Sequence, residues 1–88
     1  MKVRELLTDE SKWCQRHYMI RKGKSRQYCL AAAIDTCYPT EQATAVSLVV
    51  FDALEDKSQH PWRSISRWND AGDRTFAEVK ALVDELDI

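Results

Sequence analysis

Apolar residues recur at intervals of three and four along most of the chain, which predicts amphipathic α-helices. The predicted buried faces are Val3, Leu6 and Leu7; Cys29, Leu30, Ala33, Ile34 and Cys37; Ala43, Val46, Val50, Ala53 and Leu54; and Phe76, Val79, Leu82, Val83 and Leu86. Such helices are stabilised by burying these faces against one another. We therefore predict a mainly α fold, a compact bundle of about four short helices, in a single domain of residues 1–88.

Capping and breaking residues predict the ends of the first two helices. The first helix either ends near Thr8 or continues to Cys14, because polar residues with turn chemistry lie between these two positions. Ser25 is a residue type that caps helix N-termini, so the second helix is predicted to run from there to about Cys37. Pro39 then ends it, because the residue before a proline disfavours helical geometry.

The third helix is predicted to be capped by Thr40 and to extend to Lys57. Residues 48–51 alone would also fit a strand, but the absence of Gly and Pro from this long run favours a helix. The next segment, Ser58–Ser66, contains His60-Pro61-Trp62 and is predicted to be a loop.

Between the first two helices the helical period is lost from Trp13 to Ile20. The sequence Arg21–Ser25, with Gly23 at its centre, predicts a tight exposed turn. We therefore expect a minor two-stranded element, a short strand or hairpin, near residues 14–28.

The stretch Arg67–Thr75 is the most specific local signal in the chain. Its Asn, Asp and Gly residues favour turns, and a T-x-x-E spacing at its end predicts a capping box for the final helix. We predict that five residues form a structural signature: Trp68, Asn69, Asp70, Thr75 and Glu78. The alternative is that this polar cluster forms a binding site.

Composition narrows the class of protein. The chain is 44% apolar and 31% charged, as expected for a soluble globular protein. It has neither an apolar run of roughly 20 residues nor the features of a signal peptide, so we expect a cytoplasmic protein that does not enter a membrane. Three cysteines, an odd number, favour reduced thiols over a disulfide framework.

Charge is distributed unevenly around a net value of −1. Residues 1–27 hold eight Lys and Arg against three Asp and Glu, whereas residues 28–88 hold five against eleven. The candidate partner-binding cations are Arg16, Arg21, Lys22, Lys24 and Arg26. These cations would suit an acidic protein partner or the phosphates of a nucleic acid, or they simply form a solvated turn. The isoelectric point near 6.1 disfavours a dedicated nucleic-acid binder. Trp62 is a further candidate for a contact surface.

Motifs for catalysis and metal binding are weak. Cys14 and His17 have poor spacing for a zinc site, and cysteines on an apolar helical stripe behave as small hydrophobic residues. The sequence Gly23-Lys24-Ser25 lacks the preceding glycine of a phosphate-binding loop, because Tyr18 occupies that position. No catalytic residue, metal or cofactor is therefore predicted.

Three short motifs carry a resemblance to a known family: Trp13-Cys14-Gln15; Cys29-Leu30-Ala31-Ala32-Ala33; and Trp68-Asn69-Asp70 followed by Arg74-Thr75 and Glu78-Val79. In this respect the chain resembles a family of small uncharacterised bacterial and phage proteins with W-x-Q, C-L-x-x-A and W-N-D…R-T-x-x-E-V motifs. Ala32 departs from the pattern, which more often has Gly there. The resemblance implies a shared fold without an assigned activity.

Together these observations predict a non-catalytic protein-interaction or regulatory module whose partner is another protein. One alternative is a nucleic-acid-binding protein that uses the basic segment 16–26. A metal-dependent enzyme is a second, weaker alternative, and the sequence leaves the oligomeric state open.

Overall fold

Five α-helices and one antiparallel hairpin form the part of the chain that the computed structural model describes, residues 1–54 and 61–88, with only the backbone described for 61–62. This arrangement confirms the predicted mainly α fold with a minor two-stranded element. In order the elements are α1 (Val3–Leu6), a 3₁₀ turn (Glu10–Lys12), β1 (Met19–Lys22), β2 (Ser25–Tyr28), α2 (Leu30–Cys37), α3 (Thr40–Ala53), α4 (Pro61–Asp70) and α5 (Phe76–Leu86).

Helix α2 lies at the centre of the core. Its first five residues, Leu30 to Ile34, are all buried, and three of them are alanines. Small side chains allow neighbouring backbones to approach closely, and α2 packs against α1, α3, α4 and β2. The other fully buried aliphatic residues surround it: Val3, Leu7, Val50, Ile65, Val79 and Val83. The Cα radius of gyration, 11.9 Å, matches the roughly 12 Å expected for a folded chain of this length.

The hairpin turns through a two-residue loop, Gly23 and Lys24, flanked by the pair Lys22 and Ser25. Gly23 has a φ of 60°, whereas Lys24 does not have a positive φ, which matches a type II′ turn. This turn matches the twist of the flanking strands and needs glycine at its first position. The base of the hairpin is attached to the core at Tyr28. Trp13 forms an isolated parallel β-bridge with Tyr28, and the Cys14 amide donates to the Tyr28 carbonyl at 3.1 Å.

The predicted start of the second helix is wrong. Ser25 does not cap a helix but begins β2, and α2 starts five residues later at Leu30. Its N-cap is Cys29, whose sulfur accepts from the Ala32 amide at 3.4 Å. The turn at Gly23 overrides the local capping preference of Ser25, because pairing with Lys22 gives residues 25–28 a strand partner.

The predicted loop 58–66 is also wrong where the structure describes it, because residues from Pro61 onward form α4. Proline suits the first turn of a helix, where its missing N–H has no intrahelical partner. Helix α3 begins at Thr40, after the N-cap Pro39, and ends at Ala53. The predicted extension to Lys57 falls partly on residues outside the described ranges. Helix α1 ends at Leu6, so its continuation to Cys14 is wrong.

The last helix begins as predicted. The Thr75 hydroxyl accepts from the Glu78 amide at 3.3 Å, and the Glu78 carboxylate accepts from the Thr75 amide at 3.0 Å, which completes a capping box. The end of the chain then meets its beginning: Asp87 lies 2.8 Å from the Lys2 ammonium and 2.7 Å from the Arg4 guanidinium. Among the described residues, no helix has the length and apolar character needed to cross a bilayer.

Replacing Thr75 with Ala should lower the free energy of unfolding by about 1 kcal/mol, because it leaves an amide at the start of α5 without its cap. Urea denaturation followed by circular dichroism measures this loss. Thr36→Ala, at an exposed position within α2, is the matched control and should change stability by less than about 0.5 kcal/mol. Equal effects of the two substitutions would contradict the capping role.

Protonation of Glu78 should weaken the same cap. The Thr75 amide, which donates to its carboxylate, lowers the pKa of Glu78 below its ordinary value of 4.5. The stabilisation is therefore fully present above that ordinary value and is lost as the pH falls through the lowered one. In Glu78→Gln the decline in stability on acidification should be shallower than in the parent protein. Two parallel pH profiles of the urea midpoint would contradict this assignment.

Candidate functional site

The residues Trp68, Asn69 and Asp70 lie in the last turn of α4, not in a loop. Helix α4 is largely polar and turns a narrow face inward, on which Ser64, Ile65 and Asn69 are buried. Its apolar residues Trp62, Ile65 and Trp68 recur every three positions, but they are few among polar and charged residues and follow a proline, so the sequence favoured a loop. The inward face brings the polar signature residues to the centre of the protein.

Asn69 is completely buried and uses both ends of its side-chain amide. Its Oδ1 accepts from the Trp13 indole Nε1 at 2.7 Å and from the Leu30 amide at 3.0 Å. Its Nδ2 donates to the Cys14 carbonyl at 3.1 Å and to Asp70 Oδ1 at 2.9 Å. Since the amide group offers two acceptor and two donor positions, its hydrogen-bonding capacity is filled. One side chain thereby joins α4, the start of α2 and the segment that precedes the hairpin.

The segment that follows Trp13 is held against the end of α4. Gln15 Nε2 donates at 3.0 Å to the carbonyl of Asn69, which the end of α4 leaves without an intrahelical donor, and at 2.8 Å to that of Ala71, just past the helix. The next amide, that of Arg16, donates to Asp70 Oδ1 at 2.9 Å. Arg16 has a φ of 65°, a left-handed conformation that is uncommon for a side chain of this type.

Arg74 links the same helix end to α5. Its Nε donates to the Trp68 carbonyl at 2.9 Å, and its guanidinium carbon lies 4.0 Å from the centre of the Trp68 ring. The other end of the guanidinium pairs with Glu78 at 2.9 Å. A cation over an indole face is attracted by the ring's quadrupole, so this stack fixes the loop between the two helices.

Residues 1–86 match the model of a family described as a family of unknown function, DUF6197. The chain belongs to this family. No curated protein and no solved structure matches it. The DUF6197 match covers almost the whole chain, including every residue of the Asn69 network, and brings no activity with it.

Within this DUF6197 member, the segments that carried the resemblance form one connected network. Trp13 and Leu30 bond the Asn69 side chain, and Gln15 bonds the Asn69 backbone carbonyl, so all three motifs contribute a residue that bonds Asn69. Apart from the hydrogen bond between Asn69 and Asp70 themselves, the partners of these two side chains lie 39 to 56 positions away. The residue types alone gave no sign of these distant partners.

The basic hairpin, defined as Met19–Tyr28, carries four of the five candidate cations: Arg21, Lys22, Lys24 and Arg26. All four are exposed. Among the residues that the structure describes, no carboxylate lies within 4.0 Å of any of them. The fifth, Arg16, lies outside the hairpin, in the loop held by Asp70.

Arg21 and Arg26 lie directly opposite each other in the two strands. In an antiparallel ladder, pairs joined by backbone hydrogen bonds alternate with pairs that are not. The pair that flanks a two-residue loop, here Lys22 and Ser25, is a hydrogen-bonded one. The next pair, Arg21 and Arg26, therefore has no mutual backbone hydrogen bonds. Side chains approach most closely in such pairs, and like charges in this position repel. The hairpin therefore concentrates positive charge that no described acid neutralises.

A separate cavity of about 160 Å³ lies between the loop at Arg16 and helix α4. Its wall combines residues from three parts of the chain: Arg16, His17, Tyr18, Cys29, Ser66 and Asp70. The Tyr18 hydroxyl donates to Asp35 at 2.6 Å, and partial burial together with this bond raises the pKa of the phenol. Nothing in the spacing of these residues along the chain predicted the cavity.

The remaining sequence candidates are Trp62, the three cysteines and possible metal ligands. The side chain of Trp62 lies outside the described residues, although its backbone belongs to α4. Burial raises the pKa of Cys14 to about 11 and raises the pKa of Cys29 and Cys37 as well. Within residues 1–54 and 61–88, no group of three or more His, Cys, Asp or Glu side chains is arranged to hold a metal ion.

Replacing Asn69 with Ala should remove the acceptor shared by the Trp13 indole and the Leu30 amide. Each buried donor left without a partner costs about 1–3 kcal/mol, so the total loss should be on the order of 3 kcal/mol. Gln42→Ala, which removes an exposed amide on α3, is the control and should be nearly neutral.

A double-mutant cycle with Trp13→Phe separates the hydrogen bond from the packing of the indole. Phe removes the N–H donor, so the two substitutions should be non-additive in urea denaturation by about 1 kcal/mol or more. Strictly additive losses of stability would contradict the proposed role of Asn69 Oδ1.

Proposed function

We propose that this DUF6197 member is a non-catalytic interaction module that binds an acidic, extended segment of another protein along its basic hairpin. The observation that carries the proposal is the exposed group Arg21, Lys22, Lys24 and Arg26, in which no cation pairs with a described acid. We further propose that the chain is one domain that works in the cytoplasm, as its composition suggests.

The hairpin offers a strand edge as well as charge. Because Lys22 pairs with Ser25 through hydrogen bonds, the alternation of the ladder directs the backbone N–H and C=O groups of Met19 and Arg21 away from β2. Among the described residues, no backbone group outside the hairpin ladder forms a hydrogen bond with these outward N–H and C=O groups. The opposite edge is partly covered, since Trp13 and Cys14 lie against Tyr28. An extended peptide could therefore add to β1 as a third strand.

Acidic side chains on the added strand would relieve the repulsion between Arg21 and Arg26. Exposed ion pairs contribute up to about 1 kcal/mol each, so four such contacts alone correspond to a Kd of about 1 mM, and strand pairing would tighten this. Such binding would weaken as salt is added, because the charges are in solvent. This supports a transient, regulatory contact over a permanent assembly.

Nucleic acid is the second candidate, since a two-stranded β-ribbon can enter the major groove of DNA. The observation in its favour is the same exposed hairpin. Against it, residues 28–88 carry a charge of −6, from five Lys and Arg against eleven Asp and Glu, which would repel a phosphate backbone. We therefore place the protein partner first.

A labelled peptide of alternating Glu and Val should bind the protein at low salt, as measured by fluorescence anisotropy. Arg21→Glu combined with Arg26→Glu should weaken binding at least tenfold, because two favourable contacts become repulsive. Arg63→Glu changes the charge of an exposed α4 residue by the same amount per site and should have little effect.

Two further arms of the experiment identify the binding mode. A peptide of the same charge with proline at alternate positions cannot donate to β1 and should bind more weakly. Equal binding of the proline peptide would contradict strand addition. Tighter binding of a DNA or RNA duplex than of the Glu-Val peptide, also lost in the double variant, would replace the protein partner with nucleic acid.

A further inference from the structure

The cavity beside Asp70 is distinct from the basic hairpin and has its own charge pattern. Arg16 and Asp70 both lie on its wall, yet no ion pair of 4.0 Å or less joins them. The cavity therefore has residues of both charges on its wall, and their charged groups do not neutralise each other directly. The ligand best suited to that space carries both charges itself.

The hydrogen bonds of Asp70 leave one of its oxygens available. Its Oδ1 accepts from the Arg16 amide and from Asn69 Nδ2, both at 2.9 Å. No described residue donates to Oδ2. Because a carboxylate accepts through both oxygens, Asp70 can hold the loop with one and receive an ammonium group with the other.

Arg16 is held in place on the cavity wall by its backbone. Its left-handed conformation, at a φ of 65°, is maintained by the bond from its amide to Asp70. Residues kept in sparsely populated backbone regions cluster at binding sites, where the surrounding structure enforces them. Here the constrained residue is an arginine, so the strained backbone and a cationic side chain belong to one residue of the cavity wall.

The size of the cavity limits what can bind. Its volume of about 160 Å³ is below the roughly 300–1,000 Å³ of pockets that hold drug-sized ligands, so it suits a small molecule. The hydroxyl of Ser66 and the imidazole of His17, two residues of its wall, offer further hydrogen bonds.

We propose that this cavity binds a small zwitterion, an amino acid of the size of glycine or alanine. Its ammonium group would contact the Asp70 carboxylate and its carboxylate would contact the Arg16 guanidinium. A ligand this small in a partly open cavity should bind with a Kd on the order of millimolar. This site is independent of the proposed partner-binding hairpin.

A titration of ¹⁵N-labelled protein with glycine, followed by amide chemical shifts, tests the proposal. Saturable shifts should be confined to the amides around Arg16–Tyr18, Cys29 and Ser66–Asp70. Acetate and methylammonium, which each supply one charge of glycine, should bind at least tenfold more weakly. Absence of saturable shifts with both glycine and alanine would overturn the proposal, as would equal binding of acetate or methylammonium alone.

Variants assign the two charges. Asp70→Asn retains an oxygen that can accept from the Arg16 amide, and Arg16→Gln removes only the guanidinium; each should weaken glycine binding tenfold or more. The matched controls are Asp73→Asn and Arg63→Gln, at exposed positions outside the cavity. The Arg21→Glu, Arg26→Glu variant should bind glycine like the parent. Unchanged binding in both Asp70→Asn and Arg16→Gln would overturn the proposed ligand geometry.

Discussion

A single buried side chain amide, that of Asn69, determines how the parts of this protein fit together. Burying a polar group is unfavourable unless its hydrogen bonds are replaced; here three of the four are replaced by bonds to distant parts of the chain, and the fourth by a bond to the neighbouring Asp70. Apolar contacts are weakly directional, whereas these bonds have fixed lengths and angles. The Asn69 side chain therefore specifies which way α4 faces, where α2 begins and how the segment before the hairpin lies.

Both candidate surfaces depend on that specification. The Cys14 carbonyl, held by Asn69, precedes Gln15 and Arg16, whose bonds to the end of α4 shape one wall of the cavity. The Cys14 amide, on the same residue, fixes the base of the hairpin through Tyr28. The tip of the hairpin needs only its glycine turn, so its cations can extend into solvent while its base remains anchored.

The parts of the fold that follow from short-range chemistry could be predicted from the sequence. Helix α5 combines a regular apolar face with the capping pair Thr75 and Glu78, and both signals act within a few residues. The turn at Gly23 was predictable for the same reason. Ser25 was misassigned because a favourable local cap competed with strand pairing, and the pairing prevailed. Helix α4 was missed because its few apolar residues lie among polar and charged ones after Pro61, a composition that favours a loop, while its buried polar contacts are with distant segments.

The cavity shows the same limit. Its two charged residues lie far apart in sequence and meet only because Arg16 follows the loop that Gln15 holds on α4. The basic character of residues 16–26 was visible in composition, but its division into an anchored arginine at the cavity and a group of exposed cations on the hairpin required the fold. Chemistry formed by distant residues becomes apparent only once the element that joins them is known.

Native-state hydrogen exchange of the Trp13 indole N–H and the Leu30 amide tests the central role of Asn69 most directly. Both protons are donated to the same buried oxygen, so both should exchange only when the whole protein unfolds, with the same free energy as global unfolding. Exchange of either proton through a local opening, at a much lower free energy than that of global unfolding, would contradict the account.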